Sequence, residues 1–519
     1  ELPPNNWRSL FGGQGWSRLT RPDGTPEQWY LHLFDVHQPD LDWGSDLVKE
    51  GFDDILRHWL DLGIDGFRVD VAHSLVKADG LPDAEEHTEQ GNFNLGPMWD
   101  QDGVHDIYRR WRRVLEEYDG DRVLVAEAWV PFPERLARYV REDEMHQAFN
   151  FDFLASTWDA ASYRRVIAET MASNAAVGAP TTWVLSNHDV VRHATRLARE
   201  DTSDTEGISA SDPQPDAALG IRRGRAATLM MLALPGSAYL YQGEELGLPE
   251  HTTMEDEARQ DPLWERTNHL VPGRDGCRVP LPWTRDGASY GYNATGRTWL
   301  PQPEGWGEYS PQAQEGREDS TLTLYRRAIA LRRELRLGRG AVEWLDSEPG
   351  ILHLCNGTTG IVLNTTEQPV AIKAAGTPLI TSWHRSETDG VDAVDTVDAA
   401  RAVVVPPSRM ASISRRPARR TRSVKRTMRR VTARKTRRIA RLAQVERDPS
   451  RSAMRMIGPT SPTAPWLRIA APTAVGSRSR SRRIGRIVPI AVDVMAMAMA
   501  MPLADRGPPA TPTTVTVAK

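Results

Sequence analysis

The sequence of 519 residues predicts an α/β protein in which a parallel (β/α) barrel is followed by a small all-β domain and a basic tail. Two observations indicate the barrel. Short apolar strands alternate with amphipathic helices, and acidic residues stand near the carboxyl ends of three of these strands. Such alternation is typical of parallel sheets with helical crossovers. A third observation separates the tail, because the composition changes abruptly near residue 405.

The first helix and strand introduce the pattern. Apolar residues at helical spacing predict a helix over 46–62, and Gly63 predicts its end. A strand over 66–72 follows and carries Arg68 and Asp70 in its middle. Burying an ion is costly unless the ion is paired or has a task. The two charges therefore indicate either an internal salt bridge or an active site.

The following elements repeat the order of strand and helix. Further helices are predicted over 103–118, 133–142, 155–172, 221–234 and 321–335, and further strands over 121–129, 180–193 and 236–245. Glu127 and Asp189 lie near the ends of two of these strands, as Asp70 does in the first. Active sites of (β/α) barrels lie at the carboxyl ends of the strands. Three acids at one rim therefore favour the active site over the salt bridge.

Charge divides the chain into two parts. Residues 401–519 hold 27 Lys and Arg against 4 Asp and Glu, whereas residues 1–400 hold 38 against 65. The acidic part also contains 16 of the 17 tryptophans, which is typical of a globular protein with an aromatic-rich site. The basic part has low-complexity stretches and no sustained apolar face, which predicts a disordered tail. We hypothesise that it is translated out of frame; nucleic-acid binding through phosphate contacts is the weaker alternative.

Cysteine content and hydropathy bear on the cellular location. Cys277 and Cys355 are too few for a disulfide framework and predict reduced thiols in a cytoplasmic protein. The apolar run over 487–504 is short and contains Asp493 and two prolines. We therefore expect no membrane span and no membrane partner.

Short motifs resemble a known enzyme family. The segments GFRVD (66–70), VAEAW (125–129) and LSNHD (185–189) lie about 60 residues apart and resemble signature segments of glycoside hydrolase family 13. Further segments resemble its oligo-1,6-glucosidase and α-glucosidase branch, namely PPNNWRSLFGG (3–13), QPDLDW (38–43), GEELGLPE (243–250) and GRDGCRVPLPW (273–283). The resemblance covers roughly residues 1–400.

This resemblance implies a (β/α)8 TIM barrel of which the first three strands are missing from the sequence. The expected domains are a remnant of loop domain B over 1–43, barrel strands four to eight over 44–339, a C-terminal β domain over 340–405 and the Arg-rich tail over 406–519. A remnant barrel would expose a strand edge and lack half of the glucose pocket. We therefore expect the chain as written to be unstable and inactive, whereas its full-length parent would be active.

The family resemblance also implies residue roles. Asp70 matches the nucleophile and Glu127 matches the general acid/base. Asp189 matches the carboxylate that binds the distorted sugar and stabilises the transition state. Independently, glycoside cleavage needs two carboxyls with separated pKa values. Arg68 would lower the pKa of Asp70, and the apolar strand before Glu127 would raise the pKa of that acid.

Several other residues are candidates for substrate contacts. Arg68 and His188 match invariant partners of the site in the family, although His188 could serve only as structural support. Arg278 is expected to line the glucose subsite, with loop packing as the alternative. Trp99 and Asp100 are candidates for the leaving-group side, with core packing as the alternative. Val71 occupies a position where this branch tunes tolerance for α-1,6 against α-1,4 linkages. Valine there favours α-1,6 acceptance, with the core packing of a β-branched residue as the alternative.

Together these features predict a retaining exo-α-glucosidase that hydrolyses terminal α-1,4- or α-1,6-linked glucose from short oligosaccharides through a covalent intermediate. Alternatives are a transglycosylating relative such as a sucrose isomerase or trehalose synthase, or an inactive fragment of either. A binding protein on the same scaffold is a non-enzyme alternative, although such proteins lack the three acids. We expect small oligosaccharides as partners and no cofactor. Calcium is conceivable only in the missing N-terminal part.

Overall fold

The computed structural model of the chain describes residues 2–85, 89–90, 93–371, 378–383, 396–397, 401–405 and 491–493. The helices are α1 (Asp46–Asp61), α2 (Val104–Glu116), α3 (Pro133–Arg138), α4 (Phe151–Leu154), α5 (Ala160–Ala176), α6 (His193–Arg196), α7 (Ala217–Ala233), α8 (Pro262–Arg266), α9 (Pro311–Gln314) and α10 (Thr321–Glu334). Short 3-10 helices span Glu244–Leu246, Asp256–Ala258, Asp275–Cys277, Ala288–Gly291, Trp306–Tyr309 and Leu337–Arg339.

The strands belong to a parallel part and an antiparallel part. They are β1 (Trp16–Thr20), β2 (Pro26–Leu31), β3 (Gly66–Val69), β4 (Glu89–Gln90), β5 (Phe93–Asn94), β6 (Val123–Ala126), β7 (Gln147–Ala148), β8 (Thr182–Val184), β9 (Ser237–Tyr239), β10 (Val342–Trp344), β11 (Ile351–Asn356), β12 (Thr359–Asn364), β13 (Val370–Ala371), β14 (Ile380–Thr381), β15 (Thr396–Val397), β16 (Arg401–Val405) and β17 (Ala491–Asp493).

The parallel strands β3, β6, β7, β8 and β9 alternate with helices and form the barrel part of the described chain. β3 pairs with β6, β6 with β7, and β8 with β9, all in parallel. β3 and β6 approach so closely that a Cβ atom on Gly66 would lie 2.2 Å from the carbonyl oxygen of Val123. The glycine is therefore required by the packing of the two strands that lead to the site. This architecture confirms the predicted α/β barrel class.

Apolar side chains at helical spacing attach α1 to these strands. Phe52, Leu56 and Leu60 recur every four residues on one face and are buried. Burying each such side chain contributes roughly 1.5–3 kcal/mol. Gly63 follows the helix with φ 93°, a left-handed conformation that a glycine adopts without strain. The helix therefore ends where the sequence predicts, and the chain turns into β3.

The structure differs from the expected elements in several lengths. β3 ends at Val69 rather than near residue 72, because Val71 has a left-handed φ of 45° that a strand cannot contain. The two-residue strand β7 was not predicted, since so short a segment carries no apolar periodicity. The predicted helix over 155–172 is wrong in its bounds, because α5 spans Ala160–Ala176 and the five residues before it are not helical. The hairpin β1–β2 was not predicted either.

An antiparallel sheet follows the barrel part. Its strand order is β10-β11-β12-β16-β14, and it shares one hydrophobic core with α5, α7 and α10. Leu354 and Ile361 from the sheet and Leu229 from α7 belong to this core. The sheet agrees with the expected all-β part after the barrel, whereas the exact domain boundaries stay predictions.

The outer edge of β3 is not open in this structure. β17 pairs with it in parallel, with Ala491 opposite Gly66. The expectation of an exposed edge is therefore wrong at β3. The unpaired backbone groups of an edge strand readily pair with a further strand, and β17 takes that place here. The remainder of the basic tail over 406–519 lies outside the described residues, and so do the expectations that rest on it. Among the described residues, no helix combines the length and apolarity that a membrane crossing requires.

Candidate active site

A cavity of about 760 Å³ lies at the carboxyl ends of the barrel strands. Asp70 follows β3 directly, Glu127 follows β6 directly, and Asp189 lies in the loop after β8. All three carboxyl groups line this cavity, together with His188 and Arg278. Aromatic and aliphatic side chains complete its wall, including Leu10, Phe11, Phe34, Trp43 and Trp129. The structure thus brings together residues that are more than 100 positions apart in the sequence.

Glu127 is held as a neutral acid by its surroundings. The side chain follows the buried strand β6, and the residue is only 6% exposed. Burial raises the pKa of Glu127 to about 8, and the negative charges of Asp70 and Asp189 act in the same direction. The opposing influences, Arg68 and the backbone N–H of Val71, are smaller than these effects together. At neutral pH the group can therefore donate a proton.

The carboxyl of Glu127 is fixed by the neighbouring strand. The backbone N–H of Val71 donates a hydrogen bond of 2.7 Å to its Oε2 atom. The backbones of the two segments are also joined, because Glu127 N–H donates to Val69 O at 2.9 Å and Ala72 N–H donates to Glu127 O at 2.7 Å. The acid that follows β6 and the acid that follows β3 are therefore held in a defined relation.

Asp70 forms the ion pair that the sequence left open as an alternative. Arg68 Nη1 donates to Asp70 Oδ1 at 2.5 Å, and the two side chains are 17% and 34% exposed. Arg68 itself does not line the cavity, whereas Asp70 does. The salt bridge and the active-site readings are therefore not exclusive: the guanidinium pairs with a carboxylate that remains accessible from the cavity.

Two arginines and a histidine surround Asp189. Its Oδ1 atom accepts hydrogen bonds from Arg274 Nη1 at 3.0 Å and Arg278 Nη2 at 2.8 Å, and His188 Nε2 lies 3.1 Å from Oδ2. Burial raises the pKa of Asp189, but His188, Arg274, Arg278 and Arg68 together outweigh burial, so the pKa is lowered. Asp189 is therefore ionised in the same cavity in which Glu127 is protonated.

Arg278 and His188 both line the cavity, and Arg278 also makes the loop contact that stood as its alternative role. Its Nη2 atom contacts Asp189, while its Nε atom donates to the backbone oxygen of His188 at 2.7 Å. The His188 side chain is 46% exposed and lines the cavity. Both residues are therefore within reach of a ligand in the cavity.

Arg274 was not predicted and belongs to the same site. Its guanidinium bridges Asp189 and the buried carboxylate of Asp261, to which its Nε donates at 2.6 Å, and it lies 5.0 Å from the ring of Phe11. The signal was present, because Arg274 and Arg278 stand four residues apart in the same segment. Only the fold shows that both side chains converge on Asp189.

Trp99 and Asp100 take the packing roles that stood as their alternative. Trp99 is 5% exposed and stacks on His73 at a ring distance of 5.1 Å. Asp100 accepts hydrogen bonds from Arg135 at 2.7 Å and Tyr139 at 2.6 Å. Neither residue lines the cavity. Within the described stretches, no group of three or more His, Cys, Asp or Glu side chains is arranged to hold a metal ion.

Parallel strands that alternate with helices, and that present carboxyl groups at their carboxyl ends, define the scaffold as a (β/α) barrel with its site in the usual position. A family model described as the alpha amylase catalytic domain matches residues 1–339. The chain belongs to the alpha-amylase family, glycoside hydrolase family 13, which confirms the resemblance seen in the signature segments.

Individual relatives agree with this family. The chain is similar to a probable alpha-glucosidase of Rhizobium meliloti (strain 1021), with 30% identity over 371 residues, 67% of this chain and 62% of that protein. It is also 30% identical over 342 residues to the trehalose synthase/amylase TreS of Mycobacterium tuberculosis, covering 60% of this chain and 50% of that protein. The chain thus spans less than two thirds of the length of these relatives.

A solved structure shows the same fold with recognisable sequence similarity. The crystal structure of the alpha-glucosyl transfer enzyme XgtA superposes with a TM-score of 0.63 and 28% identity, covering 78% of this chain and 75% of that chain. A mutant of the trehalulose synthase MutB superposes with a TM-score of 0.64 at 22% identity, covering 78% of this chain and 76% of that chain, which shows the shared fold alone.

Proposed function

We propose that the protein is a retaining exo-α-glucosidase that releases terminal α-1,4- or α-1,6-linked glucose from short oligosaccharides. The observation that carries the proposal is one cavity in which the pKa of Glu127 is raised to about 8 while the pKa of Asp189 is lowered. Glycoside cleavage requires carboxyl groups with such opposite protonation. The similarity to a probable alpha-glucosidase supports the same substrate class.

The proposed reaction has two steps. In the first, Asp70 attacks the anomeric carbon while Glu127 gives its proton to the glycosidic oxygen, and the bond between these substrate atoms breaks. A glucosyl ester on Asp70 results, and the leaving sugar departs with the proton. In the second step, the Glu127 carboxylate takes a proton from water, which attacks the same carbon and releases Asp70. Asp189, kept ionised by its arginines, stabilises the positive charge that develops on the sugar ring.

The remaining biochemical expectations are proposals as well. We propose that the reaction uses no cofactor, because carboxyl groups supply the nucleophile and the proton donor. Two unpaired thiols, Cys277 and Cys355, support a reducing compartment and hence a cytoplasmic location. The proposed partners are small oligosaccharides rather than membranes or nucleic acids.

Hydrolysis of p-nitrophenyl α-glucoside by the purified chain tests the proposal. The sequence alone predicted an inactive chain, but its three carboxyl groups share one cavity and β17 covers the edge of β3. We therefore expect release of p-nitrophenol and, with maltose or isomaltose, initial formation of α-glucose in the NMR spectrum. Such activity would also overturn the expectation that the chain as written is inactive. A folded chain, shown by a cooperative thermal transition, that neither hydrolyses nor transfers glucose would contradict the proposal. Initial formation of β-glucose would contradict the covalent mechanism.

Transfer of glucose to another sugar is the second candidate. It is supported by similarity to a trehalose synthase/amylase and to an alpha-glucosyl transfer enzyme. The covalent intermediate would be the same, and only the acceptor would differ. Product analysis with maltose and sucrose separates the two functions. Free glucose as the main product supports hydrolysis, whereas isomerised or longer saccharides support transfer.

A further inference from the structure

The residue after Asp70 has a backbone conformation that is unfavourable for its side chain. Val71, directly after Asp70, has φ 45°. A β-branched residue in the left-handed region is a strained outlier, and such outliers are concentrated at functional sites. The Val71 side chain is half-buried against the aromatic cluster that contains Trp7 and Trp99. The packing therefore keeps the residue in place while the backbone departs from the strand.

Hydrogen bonding shows what this conformation achieves. Val123 N–H donates to Asp65 O at 2.9 Å, and four residues later on both strands Glu127 N–H donates to Val69 O, also at 2.9 Å. In a regular parallel ladder the next bond would join Val71 N–H to Glu127 O. Instead Ala72 N–H donates to Glu127 O at 2.7 Å. One extra residue has therefore been inserted, as in a β-bulge.

The bulge redirects one backbone donor from a carbonyl to a carboxyl group. Val71 N–H, released from the ladder, donates to Oε2 of Glu127 at 2.7 Å. A protonated carboxyl has one O–H donor, and its other oxygen acts as the acceptor. An N–H that donates to Oε2 favours the form in which Oε2 is the acceptor and Oε1 carries the proton. The backbone therefore distinguishes two oxygens that are chemically equivalent in a free carboxyl.

We propose that the bulge at Val71 makes Oε1 of Glu127 the oxygen that donates and later accepts the catalytic proton. Val71 is thus a positioning residue that acts through its backbone N–H. This inference rests on the proposed glycosidase function, since it assigns an atom to the proton transfer of that reaction. It goes beyond that function, because the backbone and not the side chain is responsible.

Amide-to-ester replacement at residue 71 tests the proposal. Incorporation of α-hydroxyisovaleric acid by nonsense suppression in the full chain removes the N–H and keeps the valine side chain. We expect the pKa of Glu127 to rise by about one unit, because a donor to its ionised form is lost. We also expect kcat for p-nitrophenyl α-glucoside to fall by about tenfold, with KM changed less than about twofold.

The pKa is measured without turnover. The carboxyl band of Glu127 is identified by infrared difference spectroscopy against Glu127→Gln. It is then titrated in the unmodified protein and in the protein with the ester at residue 71. A pKa that does not change in the ester variant would overturn the inference, even if hydrolysis is normal. A pKa rise in a chain that does not hydrolyse glucosides would support the hydrogen bond and contradict the proposed function instead. The two failures are therefore distinguishable.

The matched control is the same replacement at Ala72. It removes an N–H of equal bond length, 2.7 Å, from the same turn, but its acceptor is the backbone oxygen of Glu127. We expect loss of stability without a shift in the Glu127 pKa. An equal shift in both esters would show a general loosening and overturn the inference. Val71→Gly keeps the N–H and adopts positive φ without strain, so it should retain the Glu127 pKa.

Discussion

The two sides of the cavity shift the pKa values of their acids in opposite directions. After β6, Glu127 meets mainly buried apolar surroundings and the charges of other carboxylates, and its pKa is raised to about 8. After β8, Asp189 is also partly buried, but its neighbours are arginines and a histidine, and its pKa is lowered. The difference shows that neighbours, and not residue type, decide which acid keeps its proton.

This contrast is what a glycosidase site needs. A single cavity must hold a proton donor and ionised carboxylates at the same pH. The sequence places acids after three strands, but the separation of their protonation states comes from elements distant in the chain, such as the segment with Arg274 and Arg278. The difference in protonation between the two acids can be tested by removing a carboxyl group, by removing a cation, or by changing the pH.

Removing Asp70 should have the largest effect. Asp70→Asn keeps the shape of the side chain but lacks the nucleophilic charge, so no glucosyl ester can form. We expect kcat/KM to fall by at least about a thousandfold for every α-glucoside, including one with a dinitrophenyl leaving group. Steady-state kinetics measure the loss. Asp65→Asn, at the amino end of the same strand, is the control and should retain activity; equal losses would indicate misfolding.

Removing the proton of Glu127 should have a smaller and more selective effect. Glu127→Gln should reduce the hydrolysis of maltose by roughly a hundredfold to ten-thousandfold, because the leaving sugar needs a proton. A dinitrophenyl leaving group is stable as an anion, so its hydrolysis should suffer far less in the first step. Pre-steady-state release of dinitrophenol measures the loss for the dinitrophenyl glucoside, and release of glucose measures the loss for maltose. Equal losses for both substrates would contradict the role of Glu127 as the acid.

Much of this arrangement could be predicted from local sequence patterns. The apolar strands before Asp70 and Glu127 and the helical spacing of Phe52, Leu56 and Leu60 are local features that the fold preserves. The site acids were found because each follows an apolar segment, and parallel strands place such positions at one rim.

The features that were missed depend on non-local geometry. The bulge at Val71 is visible only in the register of β3 against β6, since nothing in GFRVDVAH marks an extra residue. Arg274 reaches Asp189 through a segment more than 80 residues away. β7 is too short for a periodic signal. The pairing of β17 with β3 joins opposite ends of the chain, and composition alone predicted only a disordered tail there.

Removing one cation should weaken the contrast between the two sides. Arg278→Met deletes a guanidinium that lies 2.8 Å from Asp189, so the pKa of Asp189 should rise. If ionised Asp189 is required, the acidic limb of the kcat/KM profile should move to higher pH by about one unit. Arg122→Met removes an ion pair of 2.9 Å with Asp65, at the amino end of β6, and should leave this limb in place. If the acidic limb of Arg278→Met stays unchanged, ionisation of Asp189 does not determine the pH dependence of kcat/KM.

The smallest expected effect, a few degrees in Tm, tests the contrast through stability. The folded pKa of Glu127, about 8, lies above the ordinary value of 4.5, so its contribution to stability is fully present below pH 4.5. That contribution is lost as the pH rises towards 8, because the unfolded chain ionises first. Glu127→Gln cannot ionise, so its Tm relative to wild type should increase between pH 5 and pH 8.

Asp189→Asn should show the opposite dependence. The folded pKa of Asp189 is below its ordinary value of 3.8, so this carboxylate stabilises the fold above pH 3.8 and loses the effect as the pH falls through the folded pKa. Relative to wild type, Asp189→Asn should therefore be least stable near neutral pH and recover towards acid. Thermal melts of both variants from acid to pH 8 measure the two trends. Parallel trends would show that the two acids share one protonation state, which would contradict the division of roles on which the proposed reaction depends.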